Sequence, residues 1–110
     1  MKNKSNKFSK EIKSVSEQII KKYNPEKIIL FGSCVNGKQN TNSDIDFFII
    51  KNTKKRFVDR IGEVLELCDY SIPIDPLIYN SKEIKERVDI GDPFISEILS
   101  SGETLYAKKA

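Results

Sequence analysis

Three aspartates and one dipeptide carry most of the chemistry open to this chain. Asp44 and Asp46 stand two apart, with Ile45 between them and the apolar run Phe47–Ile50 after them. Successive side chains on a strand point to opposite faces, so residues two apart share one. In a strand, the two carboxylates project together while Ile45 turns into the core. Upstream, with ten residues intervening, Gly32-Ser33 closes another apolar run, Ile28–Phe31. Glycine lets the backbone turn sharply and a ligand come close. If Ser33 opens a short helix, its N–H groups and dipole favour an anion, and the Ser33 hydroxyl adds a donor. Hard divalent cations take one or two carboxylates together with substrate phosphates and water. Carboxylates beside a Gly-Ser turn therefore suit a cation and a phosphate. Asp75 lies between Ile74 and Pro76-Leu77-Ile78, where a carboxylate is costly without a partner. If its strand lies beside that of Asp44, three carboxylates meet and can hold two cations. Each piece alone has a plainer reading. Gly-Ser is a common strand-ending turn, Ser43 and Asp44 are good turn formers, and Asp75 can face solvent on an edge strand.

The elements that position these groups follow from periodicity. Residues 1–5 are expected to fray. Phe8, Ile12, Val15, Ile19 and Tyr23 recur at helical spacing and predict an amphipathic helix from Asn6 to Tyr23. Asn24-Pro25 ends it, because proline disfavours a helical residue before it. Lys27–Phe31 is the first strand, Ser33–Asn36 a short helix stopped by Gly37, Lys38–Ser43 a polar loop, and Asp44–Lys51 the second strand. Thr53 is the expected N-cap of a helix reaching Cys68, with Phe57, Ile61, Val64, Leu65 and Cys68 as its core stripe. Pro73–Tyr79 reads as a strand, placed at an edge by Pro76. Ser81 caps a short helix through Val88. Asp92 and Pro93 open a last helix whose Phe94, Ile95, Ile98 and Leu99 face the core. Gly102 ends it, and Thr104–Ala107 adds a final strand. The order α-β-(α)-β-α-β-α-α-β is that of an α+β, or α/β layered, domain spanning residues 1–110.

Composition narrows the function classes. The 110 residues, 38% hydrophobic, suffice for one core. Mixed charge with recurring apolar runs argues against global disorder. No apolar stretch approaches the ~20 residues that span a bilayer, and the lysine-rich N-terminus lacks the apolar region of a secretory signal. Two cysteines, Cys34 and Cys68, are too few for a disulfide scaffold or a tetrahedral zinc site. A cytoplasmic location is expected. Histidine is absent, which excludes a His-dependent triad, a His metal site and a His base. Proton transfer then falls to carboxylates, Lys, Tyr or water. The net charge of +3 concentrates in the N-terminal segment and in Lys51–Arg60. Both patches could meet phosphates or an acidic partner, or keep a small protein soluble. Neither carries an RNA-binding motif of interleaved aromatic and basic residues, so nucleic acid is not an expected partner.

Together, Gly32-Ser33, ten residues and Asp44-Ile45-Asp46 resemble the Gly-Ser-x10-Asp-x-Asp signature of the DNA polymerase β-like nucleotidyltransferase superfamily. The likeness is greatest to its minimal nucleotidyltransferases. It extends to Ile74-Asp75-Pro76, to Gly91-Asp92-Pro93-Phe94 and to Gly102-Glu103-Thr104-Leu105-Tyr106, over about residues 10–107. The resemblance implies a mixed β-sheet with helices packed on one main face. It implies catalytic and metal-binding roles for Asp44, Asp46 and Asp75, with Mg²⁺, or Mn²⁺ in its place, as the ion. Gly32, Ser33 and Lys38 would bind a nucleoside triphosphate, ATP being the expected one. Many relatives carry arginine soon after Gly-Ser. Here Cys34-Val35-Asn36 stand there, Lys38 is the basic residue of the connector, and Lys54-Lys55-Arg56 is a second source of positive charge. Cys34 reads as a small space-filler. Minimal domains of this family often pair with a HEPN-domain protein in toxin–antitoxin-like modules and act there as the antitoxin. A partner or a second copy would then complete base and acceptor selection.

Overall fold

The computed structural model describes residues 3–36 and 44–109. The chain runs α1 (Asn3–Tyr23), β1 (Lys27–Phe31), α2 (Ser33–Asn36), β2 (Ile45–Ile50), α3 (Phe57–Leu67), β3 (Ile74–Tyr79), α4 (Ser81–Asp89), α5 (Pro93–Ser101) and β4 (Glu103–Ala107). The helix α1 begins at Asn3, ahead of the expected Asn6. Gly37, Lys38 and the rest of the connector to Ser43 lie outside the described residues.

The four strands form one mixed sheet in the order β3-β2-β1-β4. β1 is antiparallel to both β2 and β4, whereas β2 and β3 are parallel and joined through α3. A parallel pair needs such a long crossover. Proline cannot donate to a central ladder, and Pro76 indeed sits in an edge strand.

Alternation along the strands sends side chains to two faces. On the main face, Ile28, Leu30, Ile45, Phe47, Ile49 and Ile78 pack with Val15 and Ile19 of α1 and Val64 of α3. On the other face, Ile29 and Phe48 form a smaller cluster with Ile95 and Ile98 of α5. The predicted stripe of α1 is met: Phe8, Val15, Ile19 and Tyr23 are buried. Asn24 takes a left-handed φ of 54° directly after it, as helix ends often do.

Several local expectations are corrected. Thr53 does not cap α3; its Oγ1 accepts from Lys55 N at 3.2 Å inside a turn, and the helix starts at Phe57. Phe57 is not core: its ring is half-exposed and meets Tyr79 edge-on. The N-cap of α4 is Asn80 rather than Ser81, in a capping box with Glu83. In α5 only Ile95 and Ile98 are buried, while Phe94 and Leu99 are exposed. The small second cluster offers a seat one ridge wide, so the wider stripe stays in solvent.

Candidate active site

Strand directions decide what meets at each end of the sheet. Because β1 is antiparallel to β2, the end of β1 lies beside the start of β2, and parallel β3 starts at that same end. The register pairs Phe31 with Asp46 and Asp46 with Asp75. Gly32, Ser33, Asp44, Asp46 and Asp75 are thus gathered from three adjacent strands. The condition placed on Asp75, that its strand neighbour β2, is met. Asp44 immediately precedes β2 and is exposed, Asp75 is exposed, and Asp46 is half-buried. Asp46 and Asp75 share the face of Ile29 and Phe48, where α5 covers the middle of the sheet and leaves the strand ends open.

Gly32 is dictated by two constraints. Its φ is +82°, and a Cβ there would run into the Asp46 carboxylate, lying 3.2 Å from Cγ and closer still to Oδ2. The expectation was that glycine admits a ligand; the group it first admits is the side chain of Asp46. After it, Val35 N donates to Gly32 O at 3.1 Å as the chain turns into α2.

The electrostatics match this crowding. The Asp46 carboxyl is pushed up to about 6, first by burial, then by the charges of Asp75 and Asp44, and last by a side-chain hydrogen bond with Asp75. Like charges held this close disfavour joint ionisation. An all-oxygen donor set with raised proton affinity is the chemistry that a hard cation relieves. Among the described residues, no group of three His, Cys, Asp or Glu side chains is placed to hold a metal ion. What fits the arrangement is a hard cation that takes only one or two protein carboxylates, Asp46 with Asp44 or Asp75.

The basic cluster proposed to assist lies elsewhere. Lys51 follows the far end of β2, five residues from Asp46, or about 17 Å along a strand. Lys51 Nζ donates to Tyr23 O at 2.6 Å, Lys55 pairs with Glu63 and Arg56 with Asp59. Arg60, expected on the surface, is buried and forms a two-pronged pair with Glu83 at 2.7 and 3.0 Å. Lys38, the remaining candidate, lies outside the described residues.

Beside Gly32 the open end continues into a small hollow between β1, α2 and α5, bordered by Phe31, Phe94 and Glu97. The helical spacing of Phe94 predicted core. The signal that it stays exposed lay in tertiary packing and not in the sequence.

One end of a mixed sheet thus gathers carboxylates beside a Gly-Ser turn. The chain belongs to the family described as Polymerase beta, Nucleotidyltransferase, whose sequence model matches residues 10–110. It is accordingly a nucleotidyltransferase-type domain. Among solved structures, it is similar to a protein from Sulfolobus solfataricus named as an inferred nucleotidyltransferase. The TM-score is 0.62 at 20% identity, covering 90% of this chain and 79% of that one. At that identity the likeness concerns the fold. No curated protein matches.

Proposed function

We propose that this domain is a Mg²⁺-dependent nucleotidyltransferase that transfers AMP from ATP to a hydroxyl on a partner protein. The observation that carries the proposal is the gathering of Asp44, Asp46 and Asp75 beside Gly32-Ser33 at one end of the sheet. Asp44 and Asp46, with Asp75 beside them, would hold a divalent cation, which would offset the charge that develops on the phosphates. Ser33 donates its hydroxyl to a phosphate oxygen, and the turn at Gly32 lets phosphates approach the backbone. Asp75, the outermost carboxylate, accepts the proton of the incoming hydroxyl. That oxygen attacks the α-phosphorus, and the bond to the leaving pyrophosphate breaks. Positioning and electrostatics supply most of such catalysis, so the lack of histidine is no obstacle.

The partner in this reading is a HEPN-domain protein in a toxin–antitoxin-like pair. That partner, or a second copy of this chain, completes base and acceptor selection. Among the described residues no helix is long and apolar enough to cross a membrane. Cys68 is a free, buried thiol, which agrees with a cytoplasmic setting. The test is transfer of α-phosphate label from ATP to the co-purified partner. The intact domain should label it, and the double variant Asp44→Asn, Asp46→Asn should not. Equal labelling by both would end the proposal.

One observation favours a second reading, a binding module that neutralises its partner with nucleotide as a structural ligand. Cys34-Val35-Asn36 follow Gly-Ser where many relatives have arginine, and Lys54–Arg56 sit at the other end of the sheet. Neutralisation that survives loss of both aspartates would select this reading.

A further inference from the structure

The carboxylates and the Gly-Ser turn leave the hollow beside them unassigned. It measures about 150 Å³ and is bordered by Phe31, Gly32, Val35, Phe94, Glu97 and Ser101. Pockets that take a whole drug-sized ligand begin near ~300 Å³, so this one holds a single ring system. Gly32 belongs to both places: Asp46 closes on it, and it forms one wall of the hollow. A nucleotide whose phosphates rest at Gly32-Ser33 has its remaining parts within reach of this space.

The lining has the chemistry of a base site. Phe94, Glu97 and Ser101 follow one another at three and four residues along α5, one stripe of the helix. The Phe94 ring is 49% exposed. It is braced edge-on against Phe31, with centroids 5.9 Å apart and planes at 84°. The helix start beneath it is fixed, since the Asp92 side chain accepts from Phe94 N and Ile95 N at 2.9 and 3.4 Å. A ring held in this way stacks on a ligand with little further ordering. The Glu97 side chain offers carboxyl oxygens as acceptors to this space. It disfavours a phosphate beside it and can accept from an amino group.

We propose that the hollow seats the base of the nucleoside triphosphate, an amino-bearing purine such as adenine, stacked on Phe94 with its amino group donating to Glu97. The proposal rests on the nucleotidyl-transfer reading above. It is tested by titrating the intact chain, in Mg²⁺, with ATP, inorganic tripolyphosphate and purine riboside triphosphate, which lacks the amino group. Phe94→Ala and Phe94→Leu should each weaken ATP about tenfold and leave tripolyphosphate unchanged. Phe94→Leu keeps most of the apolar bulk, and unchanged tripolyphosphate binding reports that each variant is folded. Glu97→Ala should abolish the preference for ATP over the amino-free analogue. If both Phe94 variants bind ATP as the parent does, the base-site assignment is overturned while the triphosphate site stands. If the parent binds neither ATP nor tripolyphosphate, both readings fall.

Discussion

The two ends of β2 and β3 arrange their charged side chains in opposite ways. At the far end, Arg60 is buried against Glu83, and its guanidinium also donates to Lys55 O at 2.7 Å and Ile78 O at 3.1 Å. Glu83 closes the capping box of α4 as well. The hydrogen bond from Arg60 holds its carboxyl below the usual carboxylate range. At the near end, carboxylates face carboxylates, and the proton affinity of Asp46 rises. One end satisfies its charges within the fold. The other concentrates one sign where strands begin and covering helices stop. The difference separates charges that hold the domain together from charges that crowd one another.

The largest stability effect is expected at the paired end. Arg60→Met leaves Glu83 and two carbonyls without their donor and should cost about 3 kcal/mol, read as a lower urea midpoint. Next comes Gly32→Ala at the carboxylate end. A Cβ collides with the Asp46 carboxylate and the positive φ is strained, for a loss of about 1–3 kcal/mol and displacement of Asp46.

The two ends should also respond to pH with opposite sign. Asp46 is raised in the folded state, so its stabilising contribution is full below the ordinary carboxylate value and is lost as pH rises through about 6. Asp46→Asn should therefore melt higher than the parent at pH 8 without divalent cations, the gap closing toward pH 4. Glu83 is lowered, so its contribution is present above the ordinary value and is lost as pH falls through its depressed range. Glu83→Gln should be destabilised at neutral pH and progressively less so in acid. Parallel melts of the four combinations would break the comparison if both variants moved the same way. The smallest effect is expected from Lys54→Ala and Lys55→Ala. Both lie at the paired end, and triphosphate binding should be unchanged in a titration.

The carboxylate end was legible from sequence to the extent that its groups are local. The two-residue period placed Asp44 and Asp46 together, and Pro76 put β3 at an edge. That β3 runs beside β2 with Asp75 level with Asp46 was a condition the sequence could only state, because register is set by α3 and by the packing of Ile74 and Ile78. The Arg60–Glu83 pair was illegible: 23 residues separate its members, and it exists only once α3, β3 and α4 converge. Read as sequence, Arg60 joined a basic patch. The exposure of Phe94 and Leu99 was hidden for a related reason. Periodicity reports an apolar stripe on α5, but not how much sheet is left for it to cover.

The carboxylate end is proposed to bind a nucleoside triphosphate through a divalent cation. The most direct measurement is calorimetric titration of ATP into the parent and into Asp46→Asn, at pH 7.5, with and without Mg²⁺. The parent should bind only when Mg²⁺ is present, and Asp46→Asn should bind more weakly by more than about tenfold. Equal affinity in the two proteins, or binding by the parent that ignores Mg²⁺, would contradict it.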